Sequence, residues 1–274
     1  MKNSDPKSIH NINGKWVEGK DIANELEKKN LMKTGGGWGL IDCTGQTILG
    51  PEFESISEFH DGLAVVMKEG NYGYLDQKGT TVIPLKFDYA HNFQEGLAAV
   101  TVGGEKWTFD KDTNPSFFEL MKNHKTGGKS GYINKSGQFV IQAEFDFCED
   151  FKDGIAKVNI NGRFGYLNEE GIFTIQPKYE QLGDFKEGLA TIKINGKYGF
   201  IDPKGNIKID PVFTSANDFQ EGLARVMIEK EIFFIDQNGA RIIDSSNFIP
   251  GYRFSDGYLK IEKNGKHGFV DQKG

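Results

Sequence analysis

A lysine and a serine behind paired glycines, Gly127-Gly128-Lys129-Ser130, are the residue types that close a phosphate-binding loop. There, backbone N–H groups and an ammonium surround the phosphate. The full loop also needs a glycine five positions before Gly128, where Asn123 stands, and a strand-like run follows where a helix must begin. A return loop is the better reading. A second set is acidic: Asp61, Glu95, Asp153, Glu187, Glu221 and Asp256 each directly precede a glycine. Gathered on one rim, they would attract a cationic peptide or ions. An acid before glycine also simply suits a turn, and that reading is preferred. The histidines at 10, 60, 91, 124 and 267 share no metal-ligand spacing, and neither a Gly-x-Ser-x-Gly elbow nor a His-Glu-x-x-His helix occurs. Cys43 and Cys148 fit no disulfide or zinc framework. Neither has the flanking His or basic pair that would lower a thiol pKa, so a partly exposed thiol and a small buried hydrophobe are expected. Asn134-Lys-Ser136 matches a glycosylation acceptor but falls in a turn. No catalytic, cofactor-binding or metal-ligating residue is assigned, and no cofactor is expected.

The elements that carry these residues recur. Trp38-Gly-Leu-Ile-Asp42 returns as Tyr72-Gly-Tyr-Leu-Asp76, Gly131-Tyr-Ile-Asn134, Phe164-Gly-Tyr-Leu-Asn168, Tyr198-Gly-Phe-Ile-Asp202, Phe234-Ile-Asp236 and His267-Gly-Phe-Val-Asp271. The closing Asp or Asn anchors are mostly 34 residues apart, with one gap of 58 and one of 35. Phe59-His-Asp-Gly62 returns with the same period as Phe93-Gln-Glu-Gly96, Phe151-Lys-Asp-Gly154, Phe185-Lys-Glu-Gly188, Phe219-Gln-Glu-Gly222 and Phe254-Ser-Asp-Gly257. Two motifs sharing one period define a repeat architecture.

Each unit reads as a β-meander of three or four strands. Leu189-Ala-Thr-Ile-Lys-Ile194 alternates along a strand, and Asn195-Gly196 supplies a two-residue hairpin turn with positive φ. Tyr198 to Asp202 returns, and Asp202-Pro-Lys-Gly205 has the residues of a type I turn. Asn206 to Ile209 makes a third short strand, and Pro211 to Phe219 a fourth extended or irregular piece. The Asp anchors are expected to accept local backbone N–H bonds. Glycine weakens strands, so its recurrence at 39, 73, 131, 165, 199 and 268 implies a group packed close over the backbone, with an aromatic ring the expected cover. Phe233 takes the glycine position in the sixth unit, so that site must be rearranged or lie at an edge. Aliphatics at 41, 75, 133, 167, 201, 235 and 270 form one apolar column, and the six Phe of the second motif form another. No unit can bury such columns alone, so neighbours must cover them.

These residues resemble the bacterial WG (KWG) repeat family, whose signature runs Asn-Gly-Lys-Trp-Gly-Tyr-Ile-Asp, a turn, a short strand ending in Pro, and Phe-x-Glu-Gly-Leu-Ala. The similarity runs from about Ile9 to Gly274, although only Trp38 keeps Trp before Gly. It implies an all-β, β-propeller-like array of six or seven units in a single domain, 1–274, whose last repeat is incomplete. A unit of 34 residues is short for a four-stranded blade, which leaves a β-solenoid as the alternative.

Two insertions interrupt the array, at about 17–37 and 111–129, and they end alike in Lys33-Thr-Gly-Gly36 and Lys125-Thr-Gly-Gly128. Before each ending lies a helix-prone piece, Asp21 to Met32 and Pro115 to Lys122. Lys106-Trp107-Thr-Phe-Asp110 sits at the repeat's phase, ahead of the second insertion. Phe117, Phe118, Leu120 and Met121 carry apolar side chains outside the strand pattern. They either cap one end of the array, the favoured reading, or present a partner-binding helix. The chain has 274 residues, 35 of them Gly and 22 Phe, and a net charge of −6. Excess glycine and aromatics fit short strands and tight turns. Acidity spread along the chain argues against nucleic acid and anionic membrane surfaces, and no apolar run approaches a membrane helix. A signal-peptide core is not visible at the start, so a cytoplasmic protein is expected. The function expected is a non-catalytic module binding a protein, peptide or ligand. The alternatives are a structural array without a ligand, or an enzyme with its site at a propeller centre.

Overall fold

A computed structural model describes residues 9–12, 15–18, 31–34, 37–104 and 128–272. Contacts divide the chain into two compact units, Met1–Gly154 and Ile155–Gly274. Among the described residues all regular structure is β.

The first unit holds β1 (Ile9–Ile12), β2 (Lys15–Glu18), β3 (Leu31–Thr34), β4 (Gly37–Ile41), β5 (Thr47–Phe53), β6 (Ser55–Ile56) and β7 (Leu63–Lys68). It continues with β8 (Asn71–Asp76), β9 (Thr81–Phe87), β10 (Tyr89–Ala90), β11 (Leu97–Val102), β12 (Lys129–Asn134), β13 (Phe139–Phe145) and β14 (Phe147–Cys148). Sequence neighbours pair antiparallel into the sheets β1-β2, β3-β4-β5, β6-β7-β8-β9 and β10-β11-β12-β13. The second unit holds β15 (Ile155–Ile160), β16 (Arg163–Asn168), β17 (Phe173–Tyr179), β18 (Gln181–Leu182), β19 (Ala190–Ile194), β20 (Lys197–Ile201) and β21 (Ile207–Phe213). After these come β22 (Ser215–Ala216), β23 (Ala224–Ile228), β24 (Glu231–Ile235), β25 (Arg241–Asp244), β26 (Ile249–Ser255), β27 (Tyr258–Lys263) and β28 (Lys266–Asp271). Here β15 pairs with β16 and β16 with β17, and two further four-stranded meanders, β18 to β21 and β22 to β25, precede the three-stranded β26-β27-β28.

The turns hold as the sequence requires. Asn195 and Gly196 have φ of +49° and +76° and close the β19–β20 hairpin. Asp202 accepts the Gly205 N–H at 2.9 Å, and Gly205 then takes φ of +79° to lead into β21. The anchors do accept local amides: Asp42 Oδ1 takes the N–H of Thr44 at 2.8 Å and of Gln46 at 2.9 Å. Asn134 Oδ1 does the same for Ser136 and Gln138. The bonds to Asp42, led by that from the Thr44 hydroxyl, hold its carboxyl below the usual carboxylate range.

Three expectations are corrected. Asn206–Ile209 and Pro211–Phe213 are not separate pieces but one strand, β21; the short fourth piece, β22, opens the next sheet. In the first expected insertion, Val17 and Glu18 finish β2, and Leu31 to Thr34 form β3, paired with β4. The helical reading therefore fails at Leu31 and Met32, because a hairpin with β4 satisfies their backbone as a strand; residues 21–30 and 115–122 lie outside the described residues. The second insertion enters at a hairpin tip: β11 pairs along its whole length with β12, and Gly104 and Gly128 lie side by side where other hairpins have a two-residue turn.

Candidate functional site

The acids before glycine form a chain of clasps. Asp61, Glu95, Asp153, Glu187, Glu221 and Asp256 all have φ between +51° and +54°, and each following glycine is also at positive φ, so each pair makes a type I′ turn. In that turn β-bridges join His60 to Leu63 and Gln220 to Leu223. At four of these acids, Asp61, Glu95, Glu187 and Glu221, the carboxylate then reaches the next repeat. Glu187 accepts the N–H groups of Glu221 at 2.7 Å and Gly222 at 2.9 Å. Glu221 accepts those of Asp256 at 2.9 Å and Gly257 at 2.8 Å, and Glu95 those of Asp153 and Gly154, both at 2.9 Å. Asp61, one methylene shorter, takes only the Gly96 N–H at 2.8 Å. Gln237 and Gln272 each donate a side-chain N–H to the main-chain oxygen of an acid, Glu187 and Glu221. The turn reading was right but incomplete: Asp61, Glu95, Glu187 and Glu221 also tie repeat to repeat, so the charge of these four is engaged within the fold.

The apolar seam links the same repeats. Apart from Leu40 after Gly39, the residue after the strand glycine, or after Phe233 in its place, is aromatic, and it stacks on the Phe of the following repeat's acid turn: Tyr74 on Phe93 at 4.8 Å, Tyr132 on Phe151 at 4.7 Å, Phe200 on Phe219 at 4.9 Å and Phe234 on Phe254 at 5.5 Å. Tyr74 and Tyr132 also donate their hydroxyls to the carbonyls of His91 and Glu149. Burial pushes both phenols up, so they stay protonated donors. The same position in the last sheet is Phe269, and it is 70% exposed, against 1% for Phe234. Tyr258, on the same face of β27–β28, is 57% exposed. The opposite face is closed, with Leu259 buried among Phe234, Ile243 and Phe254. The last sheet therefore leaves open the face that other repeats turn toward their successors.

The strand glycines are covered by backbone, not by the expected aromatic ring. A Cβ on Gly73 would lie 2.6 Å from the Ile83 oxygen, and one on Gly199 would lie 2.6 Å from the Ile209 oxygen and 2.7 Å from the Pro211 nitrogen. Register explains this. On β20 the step from Tyr198 to Phe200 spans two residues, whereas their partners Phe213 and Ile209 are four apart on β21. The extra residues bulge across Gly199. β4, β8, β12 and β16 have the same bulge opposite their glycines. Where Phe233 replaces glycine, Phe233 and Phe234 pair with the adjacent residues Asp244 and Ile243, so no bulge lies opposite Phe233 and the register shift falls between Phe234 and Ile235. That unit is rearranged, as expected.

A family model described as "WG containing repeat" matches residues 38–72, 72–107, 131–164, 164–198 and 198–230. This chain belongs to the WG repeat family. Among curated proteins no sequence relative is found. Among solved structures, a eukaryotic initiation factor is 10% identical, covering 89% of this chain and 72% of its own, with a TM-score of 0.45. Hsv2p of Kluyveromyces lactis is 10% identical, covering 84% of each chain, with a TM-score of 0.39. Likenesses at these scores carry no argument here.

The WG repeats account for most residues singled out from the sequence. Lys129 and Ser130 open β12 and are engaged there, Lys129 Nζ with Asp146 at 2.6 Å and Ser130 with the Thr101 hydroxyl at 2.9 Å. A strand stands where a phosphate loop requires a helix. Cys43 is exposed and Cys148 buried, as expected, and burial pushes the Cys148 thiol up. His91 Nδ1 sits 2.8 Å from Asp150. Among the described residues no cluster of three His, Cys, Asp or Glu is placed to hold a metal, and no helix is long and apolar enough to cross a membrane. Phe117, Phe118, Leu120, Met121, Lys106 and Trp107 lie outside the described residues. What the sequence reading missed is the open face at Tyr258 and Phe269. The signal for it was that Phe269 has an aromatic's place in the repeat.

Proposed function

We propose that this WG-repeat chain is a non-catalytic module that binds a protein or peptide, its repeats arranged as a propeller-like array. The exposure of Phe269 and Tyr258, on a face whose counterparts are buried elsewhere, carries the reading. Exposed aromatics that share one face and sit beside a packed core are a feature of polypeptide-binding surfaces. The array reading is supported by the succession of meanders, in which two-residue strands such as β6, β10 and β22 open the next sheet. The residues with chemical potential are spent on turns and clasps, which favours binding over catalysis. Nucleic acid is disfavoured as a partner by the net charge of −6. Two free cysteines suit the reducing cytoplasm, where we place the protein, without membrane insertion.

The test is a titration of the protein against native lysate, with wild type and Tyr258→Ser compared. A saturable, stoichiometric polypeptide partner that Tyr258→Ser loses is the expected result. No partner, a partner indifferent to Tyr258, or a stoichiometric metal accompanied by hydrolase activity would each overturn the reading. Small-angle scattering separates the compact ring expected from the rod of a solenoid.

A further inference from the structure

Three repeats carry an aspartate immediately before the seam Phe, and each aspartate has a donor. Asp150 lies 2.8 Å from His91 Nδ1, Asp184 accepts from Lys157 Nζ at 2.9 Å, and Asp218 accepts from the Thr191 hydroxyl at 3.2 Å. Two of these donors hold one place in the repeat, third in the runs Ile155-Ala-Lys157 and Leu189-Ala-Thr191. In the next repeat that place belongs to Arg225, on β23. The repeat that should bring its aspartate follows as β26-β27-β28. There, however, Phe254 stands 35 residues after Phe219 where Phe219 stands 34 after Phe185, and Tyr252-Arg253 takes the place of the acid.

Arg225 is left as a cation without a counter-charge. Its Nε is buried and has no hydrogen-bond partner. The guanidinium lies over the Tyr252 ring, with Cζ 5.4 Å from the centroid. A ring face attracts a cation but leaves the N–H without an oxygen acceptor. Asn217 gives its backbone N–H to the Arg225 carbonyl and Nδ2 to the Tyr252 carbonyl, so the three residues meet at one juncture. Among the described residues neither Arg225 nor the exposed Arg253 has an ion pair.

We infer that Arg225, with Arg253 as a second cation, is a receptor for a carboxylate supplied from outside the chain. The neighbouring repeats define the group, because at this place they put the carboxylate of an aspartate. A planar guanidinium matches the two oxygens of a carboxylate, and a second arginine adds attraction. An acidic side chain of a polypeptide and a free small acid carry the same group, and the experiment separates them. The inference goes beyond the binding-module reading and does not depend on Tyr258 or Phe269.

The experiment uses the full chain, isotope-labelled, and follows arginine Nε–Hε resonances at constant ionic strength. The Arg225 resonance is identified as the one that Arg225→Lys removes. The probes are the blocked peptides acetyl-Gly-Asp-Gly-amide and acetyl-Gly-Asn-Gly-amide, acetate, and inorganic phosphate. The aspartyl peptide should shift the Arg225 resonance saturably, and the asparaginyl peptide should not. In Arg253→Asp the chain supplies its own acid, so Arg225 in the free variant should already resonate where wild type does at saturation. Affinity of that variant for the aspartyl peptide should fall at least about tenfold, with a urea midpoint at or above wild type. Arg253→Gln supplies no acid, so it should keep the free wild-type resonance and weaken binding less. A peptide that binds more tightly than acetate assigns the carboxylate to a polypeptide, and equal binding assigns it to a free acid; either upholds the receptor. Absence of a saturable shift overturns it, as do equal shifts by the two peptides, tighter binding of phosphate than of any carboxylate, or undiminished binding by Arg253→Asp. Any of these leaves the binding-module reading standing, since Tyr258 and Phe269 carry that reading.

Discussion

The same substitution at two equivalent glycines should have opposite consequences. In Gly199→Ala the new Cβ would lie 2.6 Å from the Ile209 oxygen, 2.7 Å from the Pro211 nitrogen and 2.8 Å from the Pro211 Cα. All three are backbone atoms of β21, so no side chain can rotate away, and the strand itself must retreat by about 1 Å to reach ordinary contact. That retreat loosens the ladder and the fit of Ile209 and Phe213. Overpacking a tight interior costs about 1–3 kcal/mol, and contacts made only with backbone place this site near the upper figure. Gly199 is not at positive φ, so the loss is steric and not conformational. In Gly268→Ala the nearest atom is 3.9 Å away. There the only effect is a less flexible unfolded chain, which stabilises by roughly 0.4–1 kcal/mol.

Both sites lie in the compact unit Ile155–Gly274. Urea unfolding of the full chain, followed by far-UV circular dichroism, should move the Gly199→Ala midpoint down by about 1–3 M at the usual sensitivity. Gly268→Ala should stay at or slightly above the wild-type midpoint. If Gly199→Ala stays within about 0.5 kcal/mol of wild type, or if the two variants lose stability equally, backbone crossing is not why the repeat keeps its glycine.

Three further outcomes follow from the clasps, anchors and thiols. Glu187→Ala removes two accepted N–H bonds at an exposed site, so the loss should be about 1 kcal/mol, read as roughly fivefold faster hydrogen exchange at the Glu221 and Gly222 amides; unchanged protection there would show the clasp to be idle. Asp42 has its carboxyl lowered from 3.8 by the hydroxyl and amide of Thr44 and the amide of Gln46, so its stabilisation is complete above pH 3.8 and fades as pH falls through the lower folded value. Asp42→Asn keeps Oδ1, as Asn134 does for Ser136 and Gln138, so unfolding curves should match wild type at pH 7 and show a smaller loss in acid; an equal acid loss would exclude the anchor. With an aromatic disulfide reagent at pH 8, Cys43 should react at once and Cys148 only as the protein unfolds, because burial holds the Cys148 thiol protonated and covered; two fast equivalents would contradict its placement.

What was legible in the sequence, and what was not, divides by range. Turns are local: Asn195-Gly196 and Asp202 to Gly205 must close as they do, whatever surrounds them, because their residues alone satisfy the backbone. The seam was legible because its period exceeds any strand, which forces the columns onto successive sheets. The cover over the strand glycines was not, because it depends on the register of β21 against β20, which residue types state only indirectly. An aromatic ring and a bulged backbone both ask for a missing Cβ. Proline at 51, 84, 177 and 211 was the available discriminator, since a residue without an N–H marks a place where the ladder is interrupted. The acids before glycine were half legible for a similar reason. Asn would serve a type I′ turn at least as well, so the recurring carboxylate signals a second demand, met at Asp61, Glu95, Glu187 and Glu221 by amides 34 to 59 residues away that no local reading could supply.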